Sequence, residues 1–169
     1  DWVIKGVSFT IEPGQNIAFV GATGSGKTTI AALLCRFYEI QKGEIYIDGI
    51  NIMEYELNHL RQLIGTVMQD VFLFPGSIYD NVILNNQKIT ENEVLKAASA
   101  TGMKVFIDKL PNGLNYQVME RGSLLSTGQR QLISFLRAYL YNPSIMILDE
   151  ATSSIDSESE QLIQIASEK

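Results

Sequence analysis

An α/β fold carrying a helical insertion is predicted by three features of this 169-residue sequence. The short apolar run NIAFV at 16–20 passes through a glycine-rich turn into TTIAALLCRFYE, which reads as a strand, a loop and a buried helix in succession. A second apolar run, IMIL at 145–148, ends abruptly in Asp149-Glu150, as a buried strand ends at the edge of a sheet. Between them, from Pro75 to Gly122, the pattern becomes helical and is punctuated by turns.

Taken in order, DWVIKGVSFTIEPG alternates like a strand, with Val7, Phe9 and Ile11 on one face. GEIYIDGINI alternates around Asp48-Gly49 and predicts two short antiparallel strands joined by a tight turn. LNHLRQ reads as a short helix, and IGTVMQ at 64–69 as another strand. Thr90 and Glu93 form a capping-box pattern ahead of VLKAASA, Gly102 is a helix stop, and PNGLN at 111–115 is a turn. A further helix opens at Ser126, runs to about Tyr141 and is ended by Asn142-Pro143. The start is already strand-like and the closing SESEQLIQIASEK is helical without a stop signal, so the chain is expected to be part of a larger domain. The expected division is a core from 1–70 and 140–169 with a helical subdomain over 71–139.

Hydrophobic residues at 46% and charged ones at 19% are those of an ordinary globular chain able to bury a core. The net charge of −6 weighs against broad nucleic-acid binding, which needs a basic surface. A single cysteine, Cys35, excludes an internal disulfide, and with one histidine, His59, a protein-only zinc site is not expected. No apolar run reaches the ~20 residues that cross a bilayer, and there is no secretory signal pattern. His59 is expected at the surface or in packing, and Trp2 in the core or at an edge.

The chemistry concentrates in a few stretches. GATGSGKT, from Gly21 to Thr28, fits the pattern G-x-x-x-x-G-K-[ST] in full, between a strand and a helix. In such a loop the backbone of Gly21, Ala22, Thr23, Gly24, Ser25 and Gly26 wraps N–H groups around phosphate, with Thr29 following in the helix. Lys27 reaches the terminal phosphates and the Thr28 hydroxyl can ligate Mg²⁺. Asp149 at a strand end offers a carboxylate for the same ion, and Glu150, pointing elsewhere, is a candidate to orient or deprotonate an attacking water. Gln69, after its strand, could touch both metal and water. In SLLSTGQRQ at 123–131, Ser126 and Gln129 fit a capping box. The same helix N-terminus would also attract an anion, and locally the two readings stay open.

The P-loop, Gln69, STGQ and ILDEATSSID, in this order and spacing, resemble the ATP-binding-cassette (ABC) ATPases over essentially the whole chain. LLSTGQRQ resembles that family's signature, with Thr127 in place of a glycine; VFLFPGSIYDNV resembles the segment after the Q-loop of exporter-type cassettes. VMERG at 118–122 is similar to their X-loop, with Met119 for glycine, and SSID at 153–156 to their D-loop. The resemblance implies a P-loop NTPase fold with a mixed sheet core, a small antiparallel β part and a helical subdomain. It implies ATP and Mg²⁺ as cofactors, with Lys27, Gln69 and Glu150 catalytic and Thr28, Gln69 and Asp149 at the metal. It also implies a second cassette placed head to tail, whose ATP is met by Ser126, Gly128 and Gln129, and attachment to an exporter's transmembrane domain that holds this cassette on the cytoplasmic face of a membrane. Thr127 is then expected to point away from the nucleotide. By the same resemblance the family's switch histidine is expected beyond Lys169 and its adenine-stacking aromatic before the first residue. Two other readings are a soluble cassette of DNA repair or translation, against which the absence of a heptad run counts, and an inactive regulatory cassette, against which the intact Lys27, Thr28, Asp149 and Glu150 count.

Overall fold

The computed structural model describes residues 2–119 and 122–149. The chain divides into two compact units, Asp1–Arg61 and Gln62–Lys169.

In the first unit the glycine-rich turn leads into helix α1 (Lys27–Leu34). This helix is shorter than TTIAALLCRFYE predicts and none of its residues is fully buried. It stops because Arg36 adopts φ 49°, in the left-handed region, and because its last carbonyls are taken from outside. Arg61 Nε donates to the Cys35 carbonyl (3.3 Å) and Nη2 to the Arg36 carbonyl (3.3 Å), placing a cation at the negative end of the helix. Strands β1 (Tyr46–Ile47) and β2 (Ile50–Asn51) pair antiparallel with Ile47 opposite Ile50. Their two-residue turn has Asp48 at φ 49° and Gly49 at φ 77°, the pair of positive angles that a tight hairpin demands. Cys35, Ile47, Ile52 and Leu60 are its buried apolar residues.

The apolar runs of the first twenty residues depart from expectation. Residues 7–11 and 16–20 form no strand; Phe9 and Phe19 meet edge to face at 5.1 Å, but Ile17 and Val20 are exposed. A strand is a pairing, and these segments have the composition of strands without a ladder partner among the described residues. Trp2 is likewise not a core residue: it is half exposed, with the Lys42 ammonium 5.2 Å above its ring. His59 is exposed and stacks on Tyr55, as a surface residue should.

Helix α2 (Leu57–Leu63) runs into the second unit, where β3 (Ile64–Val67) pairs in parallel with β6 (Ile145–Leu148). Between them come β4 (Gly76–Ser77), α3 (Ile78–Ile83), α4 (Glu91–Ala100), α5 (Lys104–Lys109), a 3-10 turn (Gly113–Asn115), β5 (Gln117–Val118) and α6 (Thr127–Leu140). Three of these helices open on reciprocal capping boxes: Ser77 with Asp80, Thr90 with Glu93 and Ser126 with Gln129. Helix α4 closes where predicted, with Gly102 at φ 76° just past its end.

Helix α6 is buried along most of its length, Gln131 and Ser134 included, because it packs against α3, α4 and β3. Leu132, Ile133, Phe135 and Leu136 are each at most 2% exposed and join Val82, Val94, Phe106 and Leu114 in one core. Each such side chain contributes about 1.5–3 kcal/mol over the exposed state. That core fixes α6, and through it the Ser126 turn. In the parallel pair Val67 lies opposite Leu148, so Gln69 and Asp149 leave the same edge of the sheet.

Candidate functional site

The P-loop residues come together as one loop and helix start. Gly24 and Gly26 have φ 83° and 98°, angles that side chains rarely adopt, and a Cβ on Gly26 would lie 2.5 Å from Ile4 Cδ1. Gly21 is tight for another reason, since a Cβ there would meet Ser25 Oγ at 2.6 Å. The turn is closed by Ser25 N–H donating to the Ala22 carbonyl (3.1 Å). Gly26, the N-cap of α1, supplies no side-chain cap. Helix geometry therefore leaves the N–H groups of Lys27, Thr28 and Thr29 without an intrahelical acceptor, at the positive end of the dipole. Lys27 folds over the loop and donates from Nζ to the carbonyls of Gly21 (2.8 Å) and Ala22 (3.2 Å). A flexible ammonium held by exposed carbonyls, beside uncapped amides, can bind a polyphosphate.

The second unit carries two further groups. Asp149 follows β6, half-buried, and its N–H donates to the Val67 carbonyl (2.9 Å), which continues the ladder and fixes the residue at the strand's carboxyl end. Gln69 leaves the same edge from β3 and is exposed. Glu150 lies outside the described residues. The Gln69 amide and the Asp149 carboxylate, like the Thr28 hydroxyl in the first unit, are each hard oxygen donors.

At the other group, Ser126 N–H donates to Gln129 Oε1 (3.0 Å) and Gln129 N–H to Ser126 Oγ (3.1 Å). The capping box is thus formed, with Ser126 exposed, Gln129 half-buried and Gly128 buried. The Ser126 hydroxyl acts in it only as an acceptor, so its proton stays available to a second group. Sequence reading missed Arg130, which organises this turn. Its Nη1 donates to the Leu125 carbonyl (2.8 Å) and its Nη2 to Thr127 Oγ1 (3.1 Å), turning the threonine hydroxyl back onto its own helix. Gly122 makes room for it: φ is 68°, and a Cβ would stand 3.0 Å from both Arg130 Cδ and Leu73 Cδ1.

An α/β chain with a P-loop before its first helix, a strand ending in acid and a capped glycine-containing turn opening a central helix is a nucleotide-binding cassette of the P-loop NTPase class. The family model described as ABC transporter matches residues 4–153, and the chain belongs to that family. It is 49% identical over 97% of its length to the Bacillus subtilis protein named "Probable multidrug resistance ABC transporter ATP-binding/permease protein YheH". It is 52% identical over 96% to the ABC transporter ATP-binding protein YknV of the same organism. The chain spans 24% and 27% of those two relatives. A solved bacterial Atm1-family ABC exporter with ATP bound superposes with a TM-score of 0.79 at 38% identity, covering 86% of this chain and 26% of that one.

Proposed function

We propose that this cassette binds and hydrolyses ATP and thereby powers export of a substrate across a membrane. The observation that carries the reading is the P-loop itself: left-handed Gly24 and Gly26, an uncapped α1 N-terminus and Lys27 over the loop. The relatives' names and the exporter structure with ATP bound support it. The P-loop amides and Lys27 hold the phosphates, and Thr28, Gln69 and Asp149 are the residues that would hold Mg²⁺. Bound there, Mg²⁺ would neutralise charge on the phosphate oxygens. Glu150 orients or deprotonates the water, with Gln69 beside it.

A second cassette, identical or not, pairs head to tail, and Ser126, Gly128 and Gln129 meet the ATP held by its P-loop. Residues 71–139 form the helical subdomain and the rest a nucleotide-binding core on the cytoplasmic face of the membrane, and the segment around VFLFPGSIYDNV passes motion to a transmembrane partner. No helix among the described residues is long and apolar enough to cross a membrane.

The test is Mg²⁺-dependent ATP hydrolysis as a function of protein concentration, for the parent and for Ser126→Arg and Glu150→Gln. Specific activity should rise with concentration and vanish in both variants, while Glu150→Gln still binds ATP and is trapped as a dimer. Hydrolysis by Glu150→Gln at the parent rate would refute its role. ATP binding that does not depend on Lys27 would refute the site.

A further inference from the structure

Arg137, in the last turn of α6, is half-buried in a way that gains little stability. Its Nε donates to the Asn81 carbonyl (2.8 Å) and its Nη1 makes a long contact to the Phe72 carbonyl (3.5 Å). Nη2 is buried with no partner among the described residues. Burial lowers the pKa of the guanidinium, with Tyr141 opposing. A cation drawn out of water is no better for stability than an apolar side chain of the same volume, and an unmet buried donor is a cost. An apolar side chain, however, could not bond two carbonyls from two different segments.

Asn81 completes the arrangement from α3. It is 1% exposed, and its carboxamide grips Phe74 at both ends: Oδ1 accepts from Phe74 N–H (2.8 Å) and Nδ2 donates to the Phe74 carbonyl (2.8 Å). The same Nδ2 donates to the Ser77 carbonyl (3.0 Å). The backbone of 72–77 is thereby bonded to α3 and α6, while the rings of Phe72 and Phe74, edge to face at 4.9 Å, are each 53% exposed.

We propose that Arg137 and Asn81 are positioning residues that make the Phe72–Phe74 segment move with α6, so that a displacement of the helix begun at Ser126 reaches the exposed aromatic pair as one rigid movement. Ser126 and Arg137 are separated by about 16 Å of helix, which is stiff over that length. The inference rests on the reading of Ser126–Gln129 as a contact to a partner's nucleotide.

The test is hydrogen exchange by mass spectrometry on the whole protein carrying this cassette, in lipid nanodiscs, with and without MgATP, in a Glu150→Gln background so that nucleotide is retained. Peptides over 21–34 report nucleotide binding, those over 126–136 the helix, and those over 71–77 the aromatic segment. With Arg137 present, ATP should slow exchange in all three, by roughly tenfold at 71–77. In Arg137→Met, which keeps much of the bulk, the first two responses should remain and the change at 71–77 should fall within about twofold of none. A full response at 71–77 in that variant overturns the proposal. So does faster exchange across α3, α4 and α6 alike in both nucleotide states, which would make Arg137 a structural brace only. If Arg137→Met does not fold, Arg137→Lys decides by the same comparison, because one ammonium cannot span both carbonyls with the planar geometry of a guanidinium. No ATP response at 21–34 with Arg137 present would instead overturn ATP binding, and the coupling with it.

Discussion

Replacing Ser126 by aspartate separates capping from anion contact, the two jobs this residue can do at the head of α6. As a cap, aspartate equals serine: a carboxylate oxygen can accept from Gln129 N–H where Ser126 Oγ does so now at 3.1 Å. Its negative charge also favours a helix N-terminus by about 0.3–1 kcal/mol, so stability should hold or rise slightly. Toward a partner's phosphate the sign reverses. Ser126 has a proton to donate and aspartate has none, and two like charges about 4 Å apart at an effective dielectric near 20 repel by about 4 kcal/mol. Such a penalty on the closed state corresponds to a loss of about a thousandfold in kcat/KM. Ser126→Asn is the control, able both to accept in the cap and to donate to the anion. Thermal unfolding and steady-state MgATP hydrolysis of all three proteins decide the matter. Unchanged melting with hydrolysis lost only in Ser126→Asp is the expected result; Ser126→Asp working at the parent rate would show that the turn is a helix cap alone.

Thr127→Gly should change hydrolysis by less than about threefold and cost up to about 1 kcal/mol, since it removes only the contact to Arg130 Nη2 and some backbone restraint. A large change in rate would mean that the threonine faces the nucleotide. Gly122→Ala should destabilise by about 1–3 kcal/mol in denaturant titration, because the left-handed backbone and the 3.0 Å contacts to Arg130 and Leu73 both oppose a methyl group. Asp80 has its pKa lowered, first by the Ser77 hydroxyl and then by the Ser77 N–H, from an ordinary value of 3.8. Its contribution is therefore present above pH 3.8 and is lost as pH falls through the lower folded-state value. Urea midpoints should show Asp80→Asn less stable near pH 7, with the difference shrinking below about pH 4. The group is exposed, so the effect is small, and a gap that widened in acid would contradict the assignment.

What could be read in advance follows from the range of the forces involved. The capping boxes at Thr90 and Ser126, the Asp48-Gly49 turn and the stop at Gly102 each rest on a few neighbouring residues, and all four stand where the sequence puts them. The P-loop was legible for the same reason, its geometry being dictated by Gly24, Gly26 and Lys27 within one turn. Strands are different, because NIAFV has the composition of one while the ladder that would define it comes from elsewhere. The run IMIL became a strand through Ile64–Val67, a partner more than seventy residues away in sequence.

The arginines extend this reasoning to the site. Nothing in QRQLISFLRAYL separates Arg130 from Arg137, since both are cations on one helix. The first acts within its own turn, on Leu125 and Thr127. The second reaches Asn81 and Phe72, 56 and 65 positions away, and so acquires a use only when α3 is packed against α6. The parts of the cassette proposed to face phosphate are thus written locally. The parts that would carry motion away from them arise from tertiary packing, and a substitution at Arg137 that kept helix propensity and volume would leave every local motif intact while removing that connection.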